Sequence, residues 1–97
     1  MLNYEIERDS TLFIPNVFTP NGDGYNDEFF IRNLPETGTR VLITNRWGKT
    51  VFESQDYTRD RLWNGGEEAD GVYFYRLSTP GGKTYTGWLE LWRGGSP

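Results

Sequence analysis

A chain of 97 residues with 14 acidic against 10 basic side chains and no Cys or His has room for one domain and carries a net charge of −4. Those two absences remove disulfides, thiolate metal sites, thiol nucleophiles and the commonest general base, which argues against an enzyme. The acidic balance, with two Lys beside eight Arg, offers no basic face for nucleic acid, and no stretch nears the ~20 apolar residues of a membrane span.

Four Trp, six Tyr and six Phe supply the large side chains that a small core needs. Leu2, Tyr4 and Ile6 alternate with polar residues and predict a leading strand or linker over residues 1–12, ahead of a domain at 13–97. Met1 runs straight into this strand-like sequence without a signal peptide, as in a domain excised from a longer exported protein. Leu12-Phe13-Ile14 runs into Pro15 and predicts a short edge piece. Residues 19–27 are dense in turn formers. Two further strands are predicted around Phe29-Ile31 and Val41-Ile43-Asn45, with Trp47-Gly48-Lys49 turning the second into Val51-Phe52.

A polar stretch then surrounds the isolated Trp63, which is expected to be buried. Residues 72–77 form the clearest strand, with a tyrosine expected to reach back to a loop carbonyl in the manner of a tyrosine corner. Thr79-Pro80-Gly81-Gly82 turns the chain into a long last strand over residues 84–93. Six to eight short strands with frequent turns predict an all-β fold, an immunoglobulin-like β-sandwich of about seven short antiparallel strands.

Four motifs admit functional readings. Asn21-Gly22-Asp23-Gly24 has the look of a calcium loop, but Thr19 and Phe30 fall where its anchoring oxygens belong. Asn21, Asp23 and Asp27 are therefore weak metal candidates, and the favoured expectation is that Gly22 and Gly24 take positive φ while the Asn and Asp side chains cap backbone donors. No cofactor is expected, Ca2+ being the one possibility. Trp47 is either a docking or sugar-stacking ring or a lid on the sandwich, the lid being favoured, with Arg46 paired to a carboxylate. Trp88 and Trp92 share one face of the last strand and are expected in the core, while Arg93 is expected to point its head into solvent.

Taken in order, Ile14-Pro15-Asn16-Val17-Phe18-Thr19-Pro20-Asn21-Gly22-Asp23-Gly24, Asn26-Asp27, Asn45-Arg46-Trp47-Gly48, Tyr57, Trp63-Asn64-Gly65, Asp70-Gly71-Val72-Tyr73-Phe74-Tyr75 and residues 87–93 resemble the gliding-motility-associated C-terminal domain of Bacteroidetes-type bacteria, the type B sorting domain of type IX secretion. Asn64 stands where that family often has Asp. The resemblance implies an immunoglobulin-like module that directs a large cargo protein to the cell surface or medium. Its implied partners are the outer-membrane translocon and a small outer-membrane β-barrel. On this reading Asn21, Asp23, Asp27, Asn45, Arg46, Trp47 and Arg93 form the recognition surface. The alternative is a calcium-assisted carbohydrate-binding module using Trp47, Trp63 and Trp88.

Overall fold

The computed structural model describes residues 12–22, 24 and 27–93. Five strands occupy them: β1 (Val17–Phe18), β2 (Arg40–Thr44), β3 (Thr50–Ser54), β4 (Gly71–Ser78) and β5 (Thr84–Leu91). They build one sheet in the order β1-β5-β4-β2-β3, with β1 parallel to β5 and the other neighbours antiparallel. No helix occurs among the described residues, so the all-β class stands. The leading strand expected before residue 12 lies outside the described residues.

Among the described residues the expected sandwich of about seven antiparallel strands is not formed, and this single sheet of five stands in its place. A second layer exists, but irregular chain forms it. The segments around residues 27–35 and 55–66 lay Phe29, Ile31, Leu34, Tyr57 and Trp63 over one face of the sheet. Phe29 and Ile31 alternate with the exposed Phe30 and Arg32 as strand residues would. Only one bridge forms there, however, from Arg32 to Phe13. Asn33 follows in the left-handed region at φ 67°, and Pro35 lacks a ladder donor, so pairing stops. The Phe29 N–H instead donates to the Trp63 carbonyl at 2.8 Å.

Strand periodicity sends alternate residues to opposite faces, and the register decides which set is covered. On the inner face Leu89 lies opposite Tyr73, Leu77 opposite Val41, Ile43 opposite Phe52, and Phe18 beside Leu91. Gly87 faces Tyr75, and a Cβ there would come within 2.5 Å of the phenol oxygen. Glycine thus lets the Tyr75 ring lie across the neighbouring strand, 6.0 Å from the Phe29 ring. Trp63, only 5% exposed as expected, packs against Phe18, Phe52 and Tyr73 at 5.5 to 5.8 Å between ring centroids. Tilted and edge-on aromatic pairs of this kind add about 0.5–1.5 kcal/mol each beyond area burial.

Tyr57 ties the irregular layer together. Its hydroxyl donates to the Phe29 carbonyl at 2.7 Å and accepts the Trp63 N–H at 2.8 Å. Burial pushes its pKa far above the ordinary phenol value, so the group stays neutral.

Candidate functional site

The sheet register gathers several loops at one end. Thr44 lies opposite Phe74, Leu91 opposite Gly71, and Phe18 beside Leu91. The loop after β1, the β2–β3 turn, the loop before β4 and the chain after β5 therefore all emerge together. All the sequence-predicted recognition residues that are described belong to these segments: Asn21, Asp27, Asn45, Arg46, Trp47 and Arg93. Asp23 lies outside the described residues.

In the loop after β1, the Asp27 carboxylate works as a local cap. One oxygen accepts the N–H groups of Asn21 at 3.2 Å and Gly22 at 3.0 Å, and the other accepts that of Gly24 at 2.8 Å. Gly22 and Gly24 take positive φ, as the capping expectation requires. The carboxylate's acceptor directions thus serve backbone donors. That leaves Asp27 poorly disposed for a hard cation, which needs six to eight oxygens.

At the β2–β3 turn the Asn45 side-chain oxygen accepts the N–H groups of Trp47 and Lys49, both at 2.9 Å. This pins the backbone and throws the Trp47 ring outward. The ring is 76% exposed, which corrects its expected role as a lid. Among the described residues Arg46 pairs with no carboxylate; its guanidinium lies over the Trp47 ring at 4.5 Å from the centroid. A shallow cleft of about 180 Å3 separates this tip from Asp70, Gly71 and Val72.

Arg93 also departs from expectation. Its guanidinium donates to the Gly66 carbonyl at 3.1 Å, the Glu68 carbonyl at 2.8 Å and the Asp70 carboxylate at 3.0 Å. Its backbone N–H reaches the second Asp70 oxygen at 3.1 Å. The side chain is a strap over the loop before β4 rather than a solvent-facing head. Gly65 fits beneath it: a Cβ there would meet the Leu91 methyl at 2.9 Å and an Arg93 nitrogen at 3.2 Å. Beside this strap the Tyr73 hydroxyl donates to the Ala69 carbonyl at 2.6 Å, the expected reach back to a loop.

The surface that sequence reasoning missed is the outer face of the sheet. Trp88 and Trp92, expected in the core, are each 49% exposed there. Phe74 lies opposite Trp88, Val72 opposite Glu90, and Val17 on the other side of Glu90, all on that face. These apolar side chains are half exposed, and Val72 also lines the Trp47 cleft. An aromatic surface thus continues from the turn down across β4, β5 and β1. Trp63 sits in the core, so the three-tryptophan sugar platform is not assembled.

A family model described as "CHU_C Type IX secretion signal domain" matches residues 12–91. No curated protein matches the chain. Among solved structures, the chain is similar to PorZ, an essential bacterial surface component of the type-IX secretion system of Porphyromonas gingivalis, with a TM-score of 0.56 and 22% identity. The likeness covers 88% of this chain and 12% of that one, and at this identity it is a likeness of fold.

Proposed function

The chain belongs to the type IX secretion signal domain family, and from that premise we propose that it is a folded sorting module whose exposed aromatic surface is read by outer-membrane components of the type IX system. The cargo it serves is exported across the outer membrane to the surface or the medium. The module does no chemistry itself; it supplies shape and contact area.

The observation that carries this reading is the contiguity of Trp47, Val72, Phe74, Trp88 and Trp92, all exposed at one end and one face of the sheet. Small soluble domains rarely leave such side chains clustered in water unless a partner covers them. Tryptophan supplies interface area at low entropic cost, and hot spots concentrate in such residues. The cap at Asp27, the tied turn at Asn45 and the strap at Arg93 hold the surrounding loops in place, so the surface is formed before a partner arrives. Asn21, Asp27, Asn45 and Arg93 act on this view by positioning, while Arg46 and Trp47 present themselves for contact. A translocon protein and a small outer-membrane β-barrel are the partners this reading names.

The test is a reporter fused to the whole chain in a type IX-competent cell, followed by fractionation. Export should fall sharply for Trp47→Ala combined with Trp88→Ser, while the purified variant keeps a cooperative thermal transition. Undiminished export of that folded variant would refute the aromatic surface as the element that is read.

A further inference from the structure

Farther down the same outer face, away from the turn, the aromatic surface gives way to a basic one. Arg40 lies opposite Ser78, and Arg76 lies opposite Leu42, so the two arginines are diagonal neighbours on β2 and β4. A concavity of about 310 Å3 opens there, its rim including Arg40, Arg76, Ser78 and the single acid Glu53 around Leu42. Among the described residues neither guanidinium has a hydrogen-bond or ion-pair partner, the one ion pair being that of Arg93 with Asp70. Glu53, across Leu42 from Arg76, engages neither. These two adjacent guanidiniums, paired with no described residue, outweigh the one Glu53 carboxylate beside them and form a local cationic spot on a chain of net charge −4. Their planar forks match the geometry of a carboxylate.

Arg76 and Phe74 are two residues apart on β4, so their side chains leave the same face about 7 Å apart. Phe74 is paired across the ladder with Trp88. Beyond them, at the turn end, the exposed Glu90 lies between Val72 and Val17. An acid is therefore favoured at the arginine end and disfavoured at the other.

We propose that this face docks an extended acidic segment of a partner protein, its carboxylate gripped between Arg40 and Arg76 and an apolar side chain two residues away seated on Phe74 and Trp88. The proposal rests on the outer face being the docking surface and adds the chemistry of what docks. A strand-like segment repeats its side chains on one face at the same two-residue spacing, so an acidic residue and an aromatic residue at i and i+2 reach both subsites together. Because the arginines are exposed, the grip is weak at high salt.

The test is fluorescence anisotropy with a labelled octapeptide that alternates Val with polar positions and carries Asp and Phe two residues apart. The same peptide with Lys in place of Asp is the control. The Asp peptide should bind the intact chain, weaken about tenfold or more against Arg40→Ala with Arg76→Ala, and weaken less against the corresponding Lys variants. Trp88→Ser should weaken it as well, and raising salt should loosen the Asp peptide. Thermal melts of each variant establish that it is folded. Equal affinity for the Asp and Lys peptides, or an arginine variant that binds as the parent does, would overturn the proposal. So would preferential binding of anionic phospholipid vesicles through the same arginines. These outcomes concern the occupant alone, whereas normal export of the Trp47→Ala and Trp88→Ser reporter strikes the sorting surface itself.

Discussion

Removing one oxygen from Tyr57 is the sharpest probe of how this small domain holds its irregular layer. In Tyr57→Phe the ring still fills its buried place, so no cavity forms. The Trp63 N–H and the Phe29 carbonyl, however, lose the group that joined them at 2.8 and 2.7 Å. Each stranded buried group costs about 1–3 kcal/mol. The Phe29 N–H still donates to the Trp63 carbonyl, so the layer keeps one of its ties and the loss should sit in the lower part of the combined range, about 2–4 kcal/mol. A domain of this size has only about 5–15 kcal/mol in all, and each kcal/mol moves the melting temperature by about 4–8 °C. Urea titrations at equal protein concentration should show an early midpoint with an unchanged slope. A difference below about 0.5 kcal/mol would refute the view that this hydroxyl joins the two segments.

Arg93→Ala should destabilise by more than about 1 kcal/mol, because it frees two loop carbonyls and the Asp70 carboxylate; Arg93→Lys, lacking the fork, should recover only part of that. A denaturant midpoint equal to the parent's would return Arg93 to the solvent-facing role. Asp27→Ala should leave the domain folded but raise amide exchange at Gly22 and Gly24, whereas unchanged exchange would show that the cap does not order the loop. Chelator should leave the melting temperature unmoved, and a drop of several degrees would reveal a cation at this loop after all. Tyr57 has a folded pKa above the unfolded value of about 10, so the folded state holds that proton more tightly. Its contribution is present in full below pH ~10 and is lost as pH rises through the folded value. Tyr57→Phe should flatten the alkaline fall in stability.

Local chemistry was the legible part of this chain. The turn formers before Asp27, the isolated Trp63 and the reach of Tyr73 to a nearby carbonyl each follow from a few neighbouring residues. The face of a strand is a different kind of fact. Alternation along β5 separates Leu89 and Leu91 from Trp88 and Trp92, yet says nothing of which set is covered, and both sets are apolar. The choice comes from Gly87, which admits the Tyr75 ring on the inner side, and from Phe29 and Tyr57, which close over it. Phe29 and Tyr57 are distant in sequence from β5, so nothing local to that strand tells that the tryptophans stay outside. Arg93 was misread for the same reason: the carbonyls it holds belong to a loop more than 20 residues earlier. The second layer was anticipated as strands because Phe29 and Ile31 have strand periodicity, while Asn33 and Pro35 prevent the ladder from continuing.

The seat of β5 in the sheet has a consequence for timing. It is the latest of the five strands to be synthesised, yet it lies between β1 and β4 and is the sheet neighbour of β1. A nascent chain that stops before Thr84 has nowhere to put β1, leaves Tyr73 without its cross-strand partner Leu89, and lacks Trp88. Folding therefore waits for the polypeptide to emerge past Leu91, since early segments cannot be rewarded for ordering until this late one arrives. A chain cut short before Thr84 therefore carries Trp47, Val72 and Phe74 but neither Trp88 nor the strand that seats β1 beside β4.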